Sequence, residues 1–129
     1  MELYGLKKRA SILQGQGSKL YKNRNVDSYF IDLSQLIDTE VTGIIRELAT
    51  LTKIEDGDYS GYEQVHLMSS GVWGFIKDMA AAAADPFLQK QEALNDLARR
   101  SKIIDRKLLE LETKVNSVKN DYGVSINLY

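Results

Sequence analysis

The chain has 129 residues, a formal net charge of −1, 43% hydrophobic and 27% charged residues, one proline and no cysteine. That suits a single domain. It excludes a disulfide framework and thiolate chemistry, and the scarcity of proline agrees with long helices. The longest weakly polar run, residues 71–84, is interrupted by Lys77 and Asp78 and is shorter than the ~20 residues that span a bilayer. The basic start is not followed by the unbroken apolar stretch of a secretory signal. The reading is a soluble protein, cytoplasmic or part of an assembled particle.

The small net charge hides segregation. Residues 1–25 carry Lys7, Lys8, Arg9, Lys19, Lys22 and Arg24 against Glu2 alone, residues 26–85 are strongly acidic, and residues 86–129 are mildly basic. A basic arm of this kind can contact a polyanion, or it can contact its own acidic middle.

In the first segment, Leu3, Leu6, Ala10, Leu13, Gly17 and Leu20 are spaced 3, 4, 3, 4, 3. That spacing predicts a helix to about Lys22 that either breaks near Gln14 or forms only when docked, because Gly15 and Gly17 each cost a helix ~1 kcal/mol relative to Ala. Asn23, Arg24 and Asn25 make a polar stop.

The second segment runs from about Asp27 to Lys53. Asp27 or Ser28 can cap it. Its stripe is Val26, Phe30, Leu33, Ile37, Val41, Ile44, Leu48 and Leu51. Gly43 is expected to allow close approach of a neighbour. Residues 54–59 (IEDGDY) read as a loop around Gly57, and their carboxylates miss the EF-hand calcium spacing.

A third helix is expected from the Ser60/Glu63 capping box to the alanine run 80–84. It contains an apolar patch at Val72, Trp73, Phe75 and Ile76, which either fills a core or meets a partner.

Asp85 and Pro86 open the last helix as N-cap and N1, and Gly123 closes it as C′. Within it Leu94, Leu97, Ser101, Ile104, Leu108, Leu111, Val115, Val118 and Tyr122 keep an unbroken 3, 4 alternation. This is the heptad seam of a helix that faces another helix along its length. Arg100 with Asp105, and Lys107 with Glu112, would be complementary flanking pairs between parallel copies. An antiparallel partner in the same chain, most naturally the second segment, is the other reading. The tail, residues 124–129, is expected either to pair as a short strand with another chain or to fray.

No catalytic or cofactor site is legible, and no cofactor or metal is expected. His66 is the only histidine, so Glu63 and His66 cannot build a two-histidine metal site within one chain. No Walker A or G-x-G-x-x-G motif is present.

The sequence predicts an all-α protein, an elongated bundle of about four helices with a long coiled-coil-like C-terminal helix. It is a single helical domain over 1–129: a basic arm or helix 1–25, a two-helix core 26–84, a long helix 85–123 and a tail 124–129. The expected function is a non-enzymatic structural or adaptor subunit, joined to copies of itself or to a helical partner. The interface would be Leu94, Leu97, Ile104, Leu108, Leu111, Val115 and Val118, with Trp73 and Phe75 as a second anchor. Heptads at both termini without cysteine resemble, in architecture, the self-assembling axial proteins of secretion systems and virions, which implies assembly. Trp73-Gly74 lacks the intervening residue of the W-x-G motif that marks the WXG100 secretion proteins. The alternative is an accessory protein that binds nucleic acid non-specifically through Lys7, Lys8, Arg9, Lys19, Lys22 and Arg24.

Overall fold

Three apolar stripes with helical spacing form three helices in the computed structural model: α1 (Leu3–Lys22), α2 (Tyr29–Glu55) and α3 (Pro86–Tyr122). The structure describes residues 3–57, 86–123, 126 and 128, with the backbone alone for 86–90. Over these residues the protein is all-helical, as the periodicity predicts. The expected third segment, with Ser60, Glu63, His66, Trp73 and Phe75, lies outside the described residues, so three helices are described where about four are expected. No helix among the described residues is long and apolar enough to cross a membrane.

The chain divides into two compact units, one of Glu2–Ile45 with Ile104–Tyr129, the other of Arg46–Ile103 with Met1. In the first unit α1 buries Leu3, Leu6, Ala10, Leu13, Gly17 and Leu20, the full set that the spacing picks out. Phe30, Leu33, Ile37, Val41 and Ile44 of α2 are buried in the same unit, as are Ile104, Leu108, Leu111, Val115 and Val118 of α3. Each such Leu, Ile or Phe contributes about 1.5–3 kcal/mol by leaving water. That is enough to carry α1 through its glycines, so of the two expectations the docked, unbroken helix is the one found.

Gly17 has a packing role. A Cβ there would lie 2.9 Å from Cγ2 of Ile37, so the two helices approach over a position where a methyl group does not fit. Gly43, expected to play that part, is instead exposed, and a methyl group added there would meet nothing within 4 Å.

Helix ends follow their chemistry. The backbone N–H of Tyr29 donates to Asp27 Oδ1 at 2.9 Å, so of the two expected caps, Asp27 and Ser28, the aspartate makes this bond. Val26, expected at the head of the α2 stripe, is exposed in the preceding turn. At its other end α2 runs two residues past the expected stop, because Ile54 continues the stripe and is fully buried. It closes at Gly57, whose φ of +91° suits a residue without a side chain. Gly123, with φ +58°, ends α3 in the same way.

The tail departs from both expectations. Ile126 and Leu128 are 4% and 1% exposed, so these two side chains are packed within the chain's own first unit instead of fraying or being left for a neighbouring chain. In the second unit α2 buries Leu48, Leu51 and Ile54, and α3 buries Ala93 and Leu97.

The two helical glycines of α1 should respond oppositely to alanine. Gly15 is exposed with open space around it, so Gly15→Ala is expected to raise stability by about 0.5–1 kcal/mol through helix propensity. Gly17→Ala should lower it by about 1–3 kcal/mol, because Ile37 is branched at the contact and must shift. Urea unfolding followed by circular dichroism measures both, and equal gains would refute the close contact at Gly17.

Candidate functional site

The heptad face of α3 is the strongest functional signal in the sequence, and the structure places most of it inside the chain. Ile104, Leu108 and Val115 are fully buried, and Leu97, Leu111 and Val118 nearly so. Ser101, the polar residue in the stripe, is buried too, and its hydroxyl donates to the Leu97 carbonyl at 2.7 Å. It thereby satisfies itself within its own helix. Leu94, the first residue of the stripe, differs: it is 41% exposed. Trp73 and Phe75, the expected second anchor, lie outside the described residues.

The charges that flank the stripe have partners within the chain. Arg100 meets Glu47 of α2 through both Nε, at 2.8 Å to Oε2, and Nη2, and both side chains are almost wholly buried. The pair is bidentate, the geometry that suits guanidinium to carboxylate. Glu47 first, with Asp96 contributing through its charge, holds the Arg100 guanidinium above its ordinary pKa against the opposing effect of burial. Asp96 is also buried and is paired with Arg99 one turn along α3.

On the other flank, Asp105 and Glu112 take Arg9 of α1. Arg9 Nη2 reaches Glu112 Oε1 at 2.7 Å, its Nε reaches Oε2 at 3.2 Å, and its Nη1 meets Asp105. Glu112 is the larger cause of the raised Arg9 pKa, with Asp105 adding to it. The expected pairings of Arg100 with Asp105 and of Lys107 with Glu112 across copies are therefore corrected. Arg100 is taken by α2, and both carboxylates are taken by α1.

The basic arm divides accordingly. Arg9 is committed to α3 and Lys19 is half-buried, whereas Lys7, Lys8, Lys22 and Arg24 are exposed. Arg9 itself pairs with carboxylates of α3. Arg24 also folds over the ring of Tyr21, 4.4 Å from its centroid. A groove of about 630 Å³ lies between α1 and α2, lined by Gln14, Ser18, Tyr21 and Lys22 on one side and by Gln35 and Asp38 on the other.

A polar latch closes the first unit. Asp27 Oδ2 accepts the hydroxyl of Tyr122 while Oδ1 caps α2. The Tyr122 ring packs edge-on against Phe30, with centroids 5.0 Å apart. The Tyr122 hydroxyl, followed by the Tyr29 N–H, holds the Asp27 carboxyl below its ordinary value of 3.8. The same bond holds the Tyr122 phenol above its ordinary value of 10.0.

Sequence reasoning finds the stripe but not the partners of its flanking charges. The signal for Glu47 and Arg100 is positional. Each is a charge set one residue from its helix's apolar stripe, Glu47 beside Leu48 and Arg100 beside Ser101, with opposite signs on the two helices. Compared with protein-family models, with curated proteins and with solved structures, the chain gives no match.

The buried pair and the latch can each be tested by substitution. Glu47→Ala leaves a buried guanidinium unpaired and should cost about 3–5 kcal/mol, whereas Glu47→Leu combined with Arg100→Met should recover most of that loss. A double variant as unstable as the single one, in denaturant unfolding, would contradict the buried pair.

The latch has a pH signature. The contribution of Asp27 is full above pH 3.8 and is lost as pH falls below it, because its folded pKa is depressed. The contribution of Tyr122 is full below pH 10.0 and is lost as pH rises above it, because its folded pKa is raised. Tyr122→Phe is expected to lower stability between these limits and to flatten the stability profile at both ends. An unchanged profile from thermal melts across pH would mean that the latch does not form.

Proposed function

We propose that this chain is a non-enzymatic structural or adaptor subunit that binds another helix, in a copy of itself or in a partner protein. Leu94 is the observation that carries the reading. It continues the heptad register of Leu97, Ser101 and Ile104, yet it stands 41% exposed, with Ala98 exposed one turn further along. A helix laid against this turn of α3 would extend the stripe in register, adding knobs-into-holes contacts where the described helices leave one side open. The buried charges Glu47 and Arg100 are paired with each other and buried Asp96 is paired with Arg99, which suits a scaffold better than a site that must release a proton or bind a reactant.

The interface on this reading is narrower than the whole seam, because Leu97 to Val118 already serve the chain's own cores. Light scattering on a size-exclusion column over a concentration series tests it. Wild-type protein should exceed 14.6 kDa, and Leu94→Asp should return it to that mass with helicity unchanged. Ile104→Asp should instead lose helicity, because it puts a charge into a fully buried position. A wild-type monomer at every concentration would refute self-assembly, and dissociation by Ile104→Asp with its helices intact would place the interface on the seam itself.

A further inference from the structure

We infer that the outer face of α1 is a sequence-independent binding surface for the phosphodiester backbone of nucleic acid, with Lys7, Lys8, Lys22 and Arg24 as its phosphate contacts. α1 contains five Lys and Arg and no Asp or Glu. The structure removes Arg9 from the set, since Asp105 and Glu112 neutralise it, and leaves Lys7, Lys8, Lys22 and Arg24 exposed. At 100° per residue Lys7, Lys8 and Lys22 fall within one arc of the helix, opposite its buried stripe. Ser11, Gly15 and Ser18 occupy the middle of that arc, all exposed, and a methyl group added at Gly15 would meet nothing within 4 Å. The face is thus smooth between two cationic ends.

Lys7 and Lys22 are fifteen residues apart, which at 1.5 Å per residue is about 22 Å. That is the axial rise of six to seven base pairs at about 3.4 Å each, so both ends of the face fall within one turn of a duplex and can meet phosphates of its two strands. Beyond Lys22, Arg24 lies over Tyr21 and Tyr21 remains half-exposed. This guanidinium-on-ring pair offers a base or sugar a flat surface beside a charge.

The alternative anionic partner, a lipid surface, fits less well. Membrane-surface helices bind by sinking an apolar face below the headgroups. The apolar stripe of α1 is already buried in the first unit, with Leu6 the most exposed leucine in it at 8%. Asp38 of α2 lines the same groove as Lys22 and is the acidic side chain in that lining. Lys7, Lys8 and Arg24 do not line that groove.

Fluorescence anisotropy with a 20-base-pair duplex and a 20-nucleotide single strand, titrated from 50 to 200 mM salt, tests the inference. Four phosphate contacts on a duplex predict a log–log salt slope of about −3.6, or roughly 150-fold weaker binding across that range. Each of Lys7→Gln, Lys8→Gln and Lys22→Gln should reduce the slope by about one, and the quadruple variant with Arg24→Gln should bring it near zero with circular dichroism unchanged. Lys107→Gln, an exposed cation on α3, should leave the slope as it was. Three results overturn the inference: no salt-dependent binding of either oligonucleotide, a Lys107→Gln effect as large as the α1 effects, or binding to phosphatidylserine vesicles without binding to oligonucleotides.

Discussion

The constraint on which the fold depends is that the heptad stripe of α3 must be covered. An apolar seam from Leu97 to Val118 cannot stay in water, and the 3, 4 spacing says only that helices will cover it, not whose. The choice is made by charge at the stripe's edges. Arg100 on one flank is matched by Glu47 of α2, and Asp105 and Glu112 on the other flank are matched by Arg9 of α1. The stripe supplies the driving force, and the flanking pairs set which helix meets which flank. The buried Arg100–Glu47 pair adds little net stability over apolar residues of the same shape. Its effect is to penalise any arrangement that leaves either charge alone.

Much of this was legible in the sequence, and the reasons for the remainder are physical. The α1 stripe from Leu3 to Leu20, the Asp27 cap, Pro86 at the first position of α3 and Gly123 beyond its end all depend on neighbours within a few residues, and all are found as expected. Continuity through Gly15 and Gly17 is left open by the sequence, between a break and a docked helix, because helix propensity is local and the burial that overrides it is not. Which glycine mediates a close approach was misread for the same reason. Gly43 and Gly17 look alike in sequence, and only the opposing Ile37 distinguishes them. Ile126 and Leu128 lie in a segment whose alternation fits a strand, a frayed end or a packed tail equally well, and only the available space in the core decides.

The two proposed surfaces, Leu94 on α3 and the basic face of α1, lie on different helices. The inward face of α1 is wholly apolar, its flank toward α3 carries the arginine that meets carboxylates, and its outer face keeps the remaining charge. Because the core fixes the rotation of α1 about its axis, it also fixes which lysines face outward. A substitution such as Gly17→Ala, on the buried face of the helix, therefore bears on that surface through the seating of the helix. Leu94 is related to the α3 stripe in a comparable way, since its register is set by residues that are themselves buried.

The unit formed by Glu2–Ile45 and Ile104–Tyr129 is discontinuous in the chain, and this has a consequence for synthesis. The two halves of its core are separated by the 58 residues from Arg46 to Ile103. At about 5–20 residues per second the first half waits about 3–12 s for the second. Through that interval the apolar stripes of α1 and of the first part of α2 have only each other to pack against, and they are close to the length at which helices alone are marginal. The growing chain therefore carries an unfinished hydrophobic surface until the α3 residues of this unit are made, so the nascent form, more than the folded one, presents apolar side chains to other proteins.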